Sequence, residues 1–318
     1  MAEVRLQIQL NSYHTCIEIS NKRIIVTCTE MIAIYSLKDY TLINNVQCED
    51  INYESVITPD ERLLFVSSDK GLKQYSIPDL TLSVVYQPTS SSNCLVLLKK
   101  KNRVLFNDDD KLLGLCLKSF GITEYRDHHI TFIFSVTSSS DEEYFFTSGN
   151  DNVIKKWSTD TWNVIKSVNI DSTGYTLFVN ELSKTLLVGK KSGYLSEFTI
   201  KDLSLIRRIH LHDTWIRKII RLKSGNLITC SDDGYLKFPF SEIQPIQVPV
   251  MCIDSITELS DNTVACCSYR GLQTLSNPEK HIRRNVFHIT KYSNRKIYSK
   301  FNFKSEESFR KFRSNYFL

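Results

Sequence analysis

Five turn residues stand 41 positions apart: Asp69, Asp110, Asp151, Ser192 and Asp233. Each opens a short alternating strand, as in SSDKGLKQYSI at 67–77, SGNDNVIKKWST at 148–159, KKSGYLSEFTI at 190–200 and SDDGYLKFPF at 231–240. One period backward lies Thr29 in TCTEMIAIYSL, and one forward lies Arg270 in CCSYRGLQTLS, so the series holds seven units. A fixed period of about 40 residues excludes an ordinary two-domain partition of the 318-residue chain.

Upstream of each anchor comes an apolar strand, a polar turn and a second apolar strand, as in ESVITPDERLLFVSS. Downstream comes a further turn and strand, as in SIPDLTLSVVY and TIKDLSLIRRI. Every unit therefore predicts four short strands joined by hairpin turns. Such a unit cannot bury both of its faces alone; stacking units radially around an axis buries them. The expected fold is all-β, a seven-bladed β-propeller with four-stranded antiparallel blades. The units run over about 12–46, 50–86, 92–125, 128–168, 171–209, 211–249 and 250–276. Residues 4–10, VRLQIQL, precede the first unit and are expected to close the last blade beside 271–276.

The unit starting at His129 reads HITFIFSVTSSSDEEYFFTSGNDNVIKKWST, and the unit starting at His212 reads HDTWIRKIIRLKSGNLITCSDDGYLKF. The first, with His129, Ser148-Gly149, Asp151 and Trp157, and the second, similar over its whole length and carrying Trp215-Ile216 as an aromatic followed by an apolar residue, both resemble the WD-repeat family of β-propellers. The resemblance implies a buried hydrogen-bond relay of His129, Ser148, Asp151 and Trp157. A fully paired polar network fixes the shape of a narrow wedge, whereas an unpaired one is costly. The dipeptide Trp-Asp itself never occurs: Ser158 follows Trp157, and Pro239 takes the Trp place in the His212 unit. The resemblance further implies a non-catalytic scaffold for protein–protein interaction, a subunit of a multiprotein assembly.

After Ser276 the character of the chain changes. Residues 277–318 hold 11 Lys or Arg and 3 Asp or Glu, a net of +8 in a chain whose total is +5, so residues 1–276 carry −3. This basic extension, 277–318, reads as two strands about Ser293-Asn294-Arg295 followed by a short amphipathic helix with Phe309, Phe312 and Tyr316 on one face. Three roles are open to it: docking its aromatics on the propeller rim, contacting RNA, the ribosome or another polyanion, or lying on an anionic membrane surface. The partner-binding candidates are Trp215, as an aromatic anchor at the start of a blade's inner strand, and Arg295, Lys296, Lys300, Arg310, Lys311 and Arg313.

No catalytic constellation is present. There is no GxSxG, phosphate loop or HExxH, and no central-channel acid presents itself for a propeller hydrolase. His128-His129 and His210/His212 lack completing ligands, and Asp108-Asp109-Asp110 reads as a solvated turn, so neither metal nor cofactor is expected. Nine cysteines without a CxxC pair fit reduced thiols. With no signal segment and no apolar run long enough to span a bilayer, the expected location is the cytoplasm or nucleus.

Overall fold

The computed structural model describes residues 7–8, 16–29, 31–87, 91–248, 252–259, 263–268 and 271–276. The chain divides into two compact units, Met1–Arg284 and Asn285–Leu318. The extension 277–318 and all its candidate residues lie outside the described residues.

Six sheets are complete and follow chain order, each a four-stranded antiparallel meander: Cys16–Gln47, Asn52–Tyr86, Leu95–Tyr125, Ile133–Asn169, Gly174–His210 and Ile216–Gln247. A seventh sheet combines Ile253–Glu258, Thr263–Ser268 and Gly271–Ser276 with a two-residue strand, Gln7–Ile8. Gln7 faces Gln273 and Ile8 faces Leu272, so a segment from the start of the chain forms the outer strand of the last sheet. The first strands of successive sheets are neighbours all the way round, and that of the seventh neighbours that of the first.

The middle strands carry the core because both of their faces are covered. In the first sheet Ile24 and Val26 pack toward the seventh sheet with Ala265 and Cys267, while Ile25 between them packs toward Leu64 and Val66 of the second. Phe65 then turns the other way, onto Val104 and Phe106 of the third sheet. Successive residues of a strand point to opposite faces, so an unbroken apolar run is what a sheet wedged between two others requires. The fourth strands behave differently: Leu205–His210 is exposed along almost its whole length.

The sixth sheet is the abbreviated one. Its third strand is only Tyr235–Lys237 and its fourth only Ile246–Gln247. Pro239, with no N–H to give to a ladder, follows within two residues of that third strand. The sheet is tied to the fifth through Gly193, whose φ is 79° and whose carbonyl accepts the N–H groups of Leu211 and His212. A Cβ on Gly193 would fall 1.9 Å from the His212 carbonyl oxygen, so only glycine fits there.

Candidate functional site at one end of the channel

Each relay histidine lies in the loop that leads into an inner strand. His129 Nδ1 is 2.9 Å from Asp151 Oδ2, and His129 Nε2 is 2.8 Å from Thr147 Oγ1. The Trp157 indole N–H donates to the same Thr147 hydroxyl at 2.9 Å. The Asp151 carboxylate can only accept, so His129 Nδ1–H donates to it; in the neutral imidazole Nε2 then accepts the Thr147 hydroxyl proton, while the hydroxyl oxygen accepts the indole N–H. Burial opposes the charge on Asp151, yet hydrogen bonds from His129 and from the Ile130 and Val153 amides hold it below the usual carboxylate range.

Ser148 does not join this network. Residues 145 and 147 share the face turned to the third sheet, where Trp157 is buried, while Phe146 and Ser148 face the fifth. Ser148 donates instead to the Gly174 carbonyl at 2.9 Å. The hydroxyl that links His129 to Trp157 is that of Thr147, and strand parity is the reason. In the sixth sheet His212 bridges Asp233 and Thr229, both at 2.8 Å, and Thr229 lies 3.1 Å from the Lys237 carbonyl where no indole is available.

The two hydroxyls should therefore differ on substitution. Thr147→Val leaves the indole N–H and an imidazole nitrogen buried without a partner and should cost about 2–4 kcal/mol. Ser148→Ala removes one neutral hydrogen bond and should cost about 1 kcal/mol. Urea denaturation of the two variants side by side checks the order; equal losses would place Thr147 outside the relay.

At this same end of the sheets the inner strands share an irregularity. Against the second strand, the first strand has one extra residue at Phe134, Tyr175, Arg217 and Asp254, and Tyr53-Glu54 together oppose one residue in the second sheet. A bulge takes a residue out of the ladder and re-aims its side chain. The re-aimed side chains meet across blade boundaries. Phe134 and Tyr175 have ring centroids 5.3 Å apart, and Tyr175 and Trp215 5.2 Å. The Arg217 guanidinium lies 4.7 Å from the Tyr175 ring and 4.5 Å from the Trp215 ring. It makes a two-pronged bond to Asp232 at 2.7 and 2.6 Å and lies 4.0 Å from Asp254. Burial works against the charge on Arg217, and these carboxylates more than offset it, so its pKa is raised. Burial also pushes the Tyr53 phenol up to about 12, with Asp69 and Tyr175 adding to the rise.

Trp215 thus occupies the place expected from the sequence, just before Ile216–Arg221, and is only partly buried. Its companions Tyr175 and Arg217 were not legible, because a bulge leaves no mark on an alternating pattern. Further along the channel Glu54 reaches Lys218 of the sixth sheet at 3.6 Å, a pairing between non-neighbouring sheets. Burial raises the Glu18 carboxyl to about 7; Lys218 and Lys99 oppose the rise and Glu54 adds to it. The channel therefore does carry acids, contrary to the expectation from the sequence. Charged residues on an inner strand look like any solvent-facing position until the ring is closed.

Among the described residues no group of His, Cys, Asp or Glu could hold a metal ion, and the eight cysteines whose side chains are described, all but Cys16, are free thiols. His128 pairs with Glu124 at 3.3 Å, His210 lies against the Tyr194 ring, and Asp108 accepts the Tyr86 hydroxyl. Cys266 and Cys267 are both buried, on opposite faces of their strand. No helix among the described residues is long and apolar enough to cross a membrane.

Residues 116–158, which include Asp151, Trp157 and the relay threonine, match the family model described as WD domain, G-beta repeat. The chain is similar in fold to the crystal structure of the WD40 beta propeller domain of Doa1, with 15% sequence identity, a TM-score of 0.71, and 87% of this chain and 97% of that chain covered. No curated protein sequence matches. With one matched repeat, the His–Thr–Trp network inside it and antiparallel four-stranded blades around it, the chain has a β-propeller fold and carries, at residues 116–158, a segment similar to the WD repeat.

Proposed function

We propose that this protein is a non-catalytic scaffold that holds a protein partner at the end of the channel where the inner strands begin, within a larger assembly. The cluster of Phe134, Tyr175 and Trp215, clamped by Arg217, carries this reading. Large aromatic side chains that are half-buried and immobilised before binding make strong anchors, because little rotamer freedom remains to be lost. In the same reading the seventh sheet, with Gln7–Ile8 as its outer strand, completes a seven-bladed ring. Its free thiols suit the reducing conditions of the cytoplasm or nucleus.

The test is co-purification of partners with the full chain and with Trp215→Ala and Tyr175→Ala variants that keep the wild-type unfolding midpoint. A protein partner held at this face should lose at least about tenfold in affinity with either variant. Partners indifferent to both variants would move the interface elsewhere.

A second reading rests on the +8 charge of residues 277–318. A basic extension that neutralises phosphates would give RNA or ribosome association that falls steeply with salt, survives Trp215→Ala and vanishes on truncation after 276. Nuclease treatment before co-purification separates the two readings.

A further inference from the structure

The Trp215 ring carries two cations of unequal standing. Arg217 has Asp232 and Asp254. The Lys191 ammonium lies 4.6 Å from the centroid of the same ring, and no carboxylate of the described residues lies within ion-pair distance of it. Its neighbour Lys190 is paired with Asp171, which also takes Arg208 at 2.7 Å, so that carboxylate is already shared by two cations. Burial and the charge of Arg217 both press the Lys191 pKa down. Among the described residues this partly desolvated ammonium is held against an indole without a counter-charge, which is electrostatically costly.

We infer that the surface around Trp215 and Lys191, where residues of the fifth and sixth sheets meet, recognises an acidic side chain, Asp or Glu, in an extended segment of a partner protein. The carboxylate would pair with Lys191, and an adjacent apolar residue would lie on Trp215, Tyr175 and Phe134. This rests on the docking role assigned above and specifies its ligand. A single negative charge suits the site better than a phosphate, since Arg217 already holds Asp232 with two prongs and Asp232 and Asp254 repel a second charge. Trp215 and Tyr175 each already neighbour a cation, which disfavours a basic side chain there.

The experiment pans a random 12-residue peptide library displayed on phage against the full chain, then measures synthetic copies of the enriched peptides by fluorescence anisotropy. The expected pool carries Asp or Glu at a fixed position beside an aromatic or aliphatic residue. Changing that acid to its amide and making Lys191→Met should each weaken binding about tenfold or more, and together no more than either alone. Lys191→Arg should retain binding, and circular dichroism checks that each variant is folded. A pool without an acid at a fixed position, peptides that bind Lys191→Met undiminished, or no enrichment at all would overturn the inference. Peptides that depend on Trp215 but ignore Lys191 would leave the docking face standing and remove only its acidic preference; indifference to both would remove both.

Discussion

Trp157→Ala should lower the stability of the protein by about 3–5 kcal/mol, with a fall in melting temperature on the order of 5–10 °C. Trp157 is 0% exposed and is the largest fully buried side chain. Its ring stacks on Phe145 at 5.4 Å and fills the wedge between the third and fourth sheets with Leu105, Leu112 and Ile133. Truncation opens a cavity there and also removes the donor that orients the Thr147 hydroxyl. Trp157→Phe keeps much of the volume and loses the hydrogen bond, so it should cost about 1–2 kcal/mol. Amide exchange should quicken first along Arg103–Asp108 and Tyr144–Gly149, the two middle strands that flank the cavity. A midpoint within experimental error of the wild type would show that the wedge does not depend on this ring.

The second large effect concerns pH. The Glu18 carboxyl, raised by burial from 4.5 to about 7, keeps its proton in the folded protein over a range where the unfolded chain has released it. Between those values the folded state binds more protons than the unfolded state, so the stability contributed by this group falls as pH rises. It is lowest above pH 7 and recovered below 4.5. The full difference corresponds to about 3 kcal/mol, and the partial opening of Glu18 to the channel reduces this to about 1–3 kcal/mol. Glu18→Gln removes the dependence: the variant should match the wild type near pH 4 and exceed it near pH 8. Urea midpoints of both proteins across pH 4–8 provide the comparison, and parallel profiles would show that Glu18 does not set the pH response.

What could be read from the residues follows from what each interaction demands of the chain. The 41-residue spacing is set by turn chemistry that every complete unit repeats, and turns leave residue-type signatures. His129, Asp151 and Trp157 announce themselves by type and spacing. The choice between Thr147 and Ser148 turned on parity, and the register supplies it: Phe145 faces Trp157, so the hydroxyl that serves the indole must be two residues from Phe145. The cross-channel pairing of Glu54 with Lys218 joins residues 164 positions apart and depends on closure of the ring. No local pattern encodes it. Likewise, the aromatic cluster gathers one residue from each of three blades, two of them, Phe134 and Tyr175, at bulges and the third, Trp215, just before its strand.

Those bulges have a consequence for how such a surface can diversify. Phe134, Tyr175, Arg217 and Asp254 occupy the same step of four successive inner strands, yet one is a hydrocarbon ring, one a phenol, one a cation and one an anion. None of them holds a place in its own strand's ladder, so their identities are uncoupled from the pairing that keeps each blade in register. The framework therefore works like a row of interchangeable sockets: a change of occupant rewrites what the mouth can grip while the scaffold beneath keeps its form.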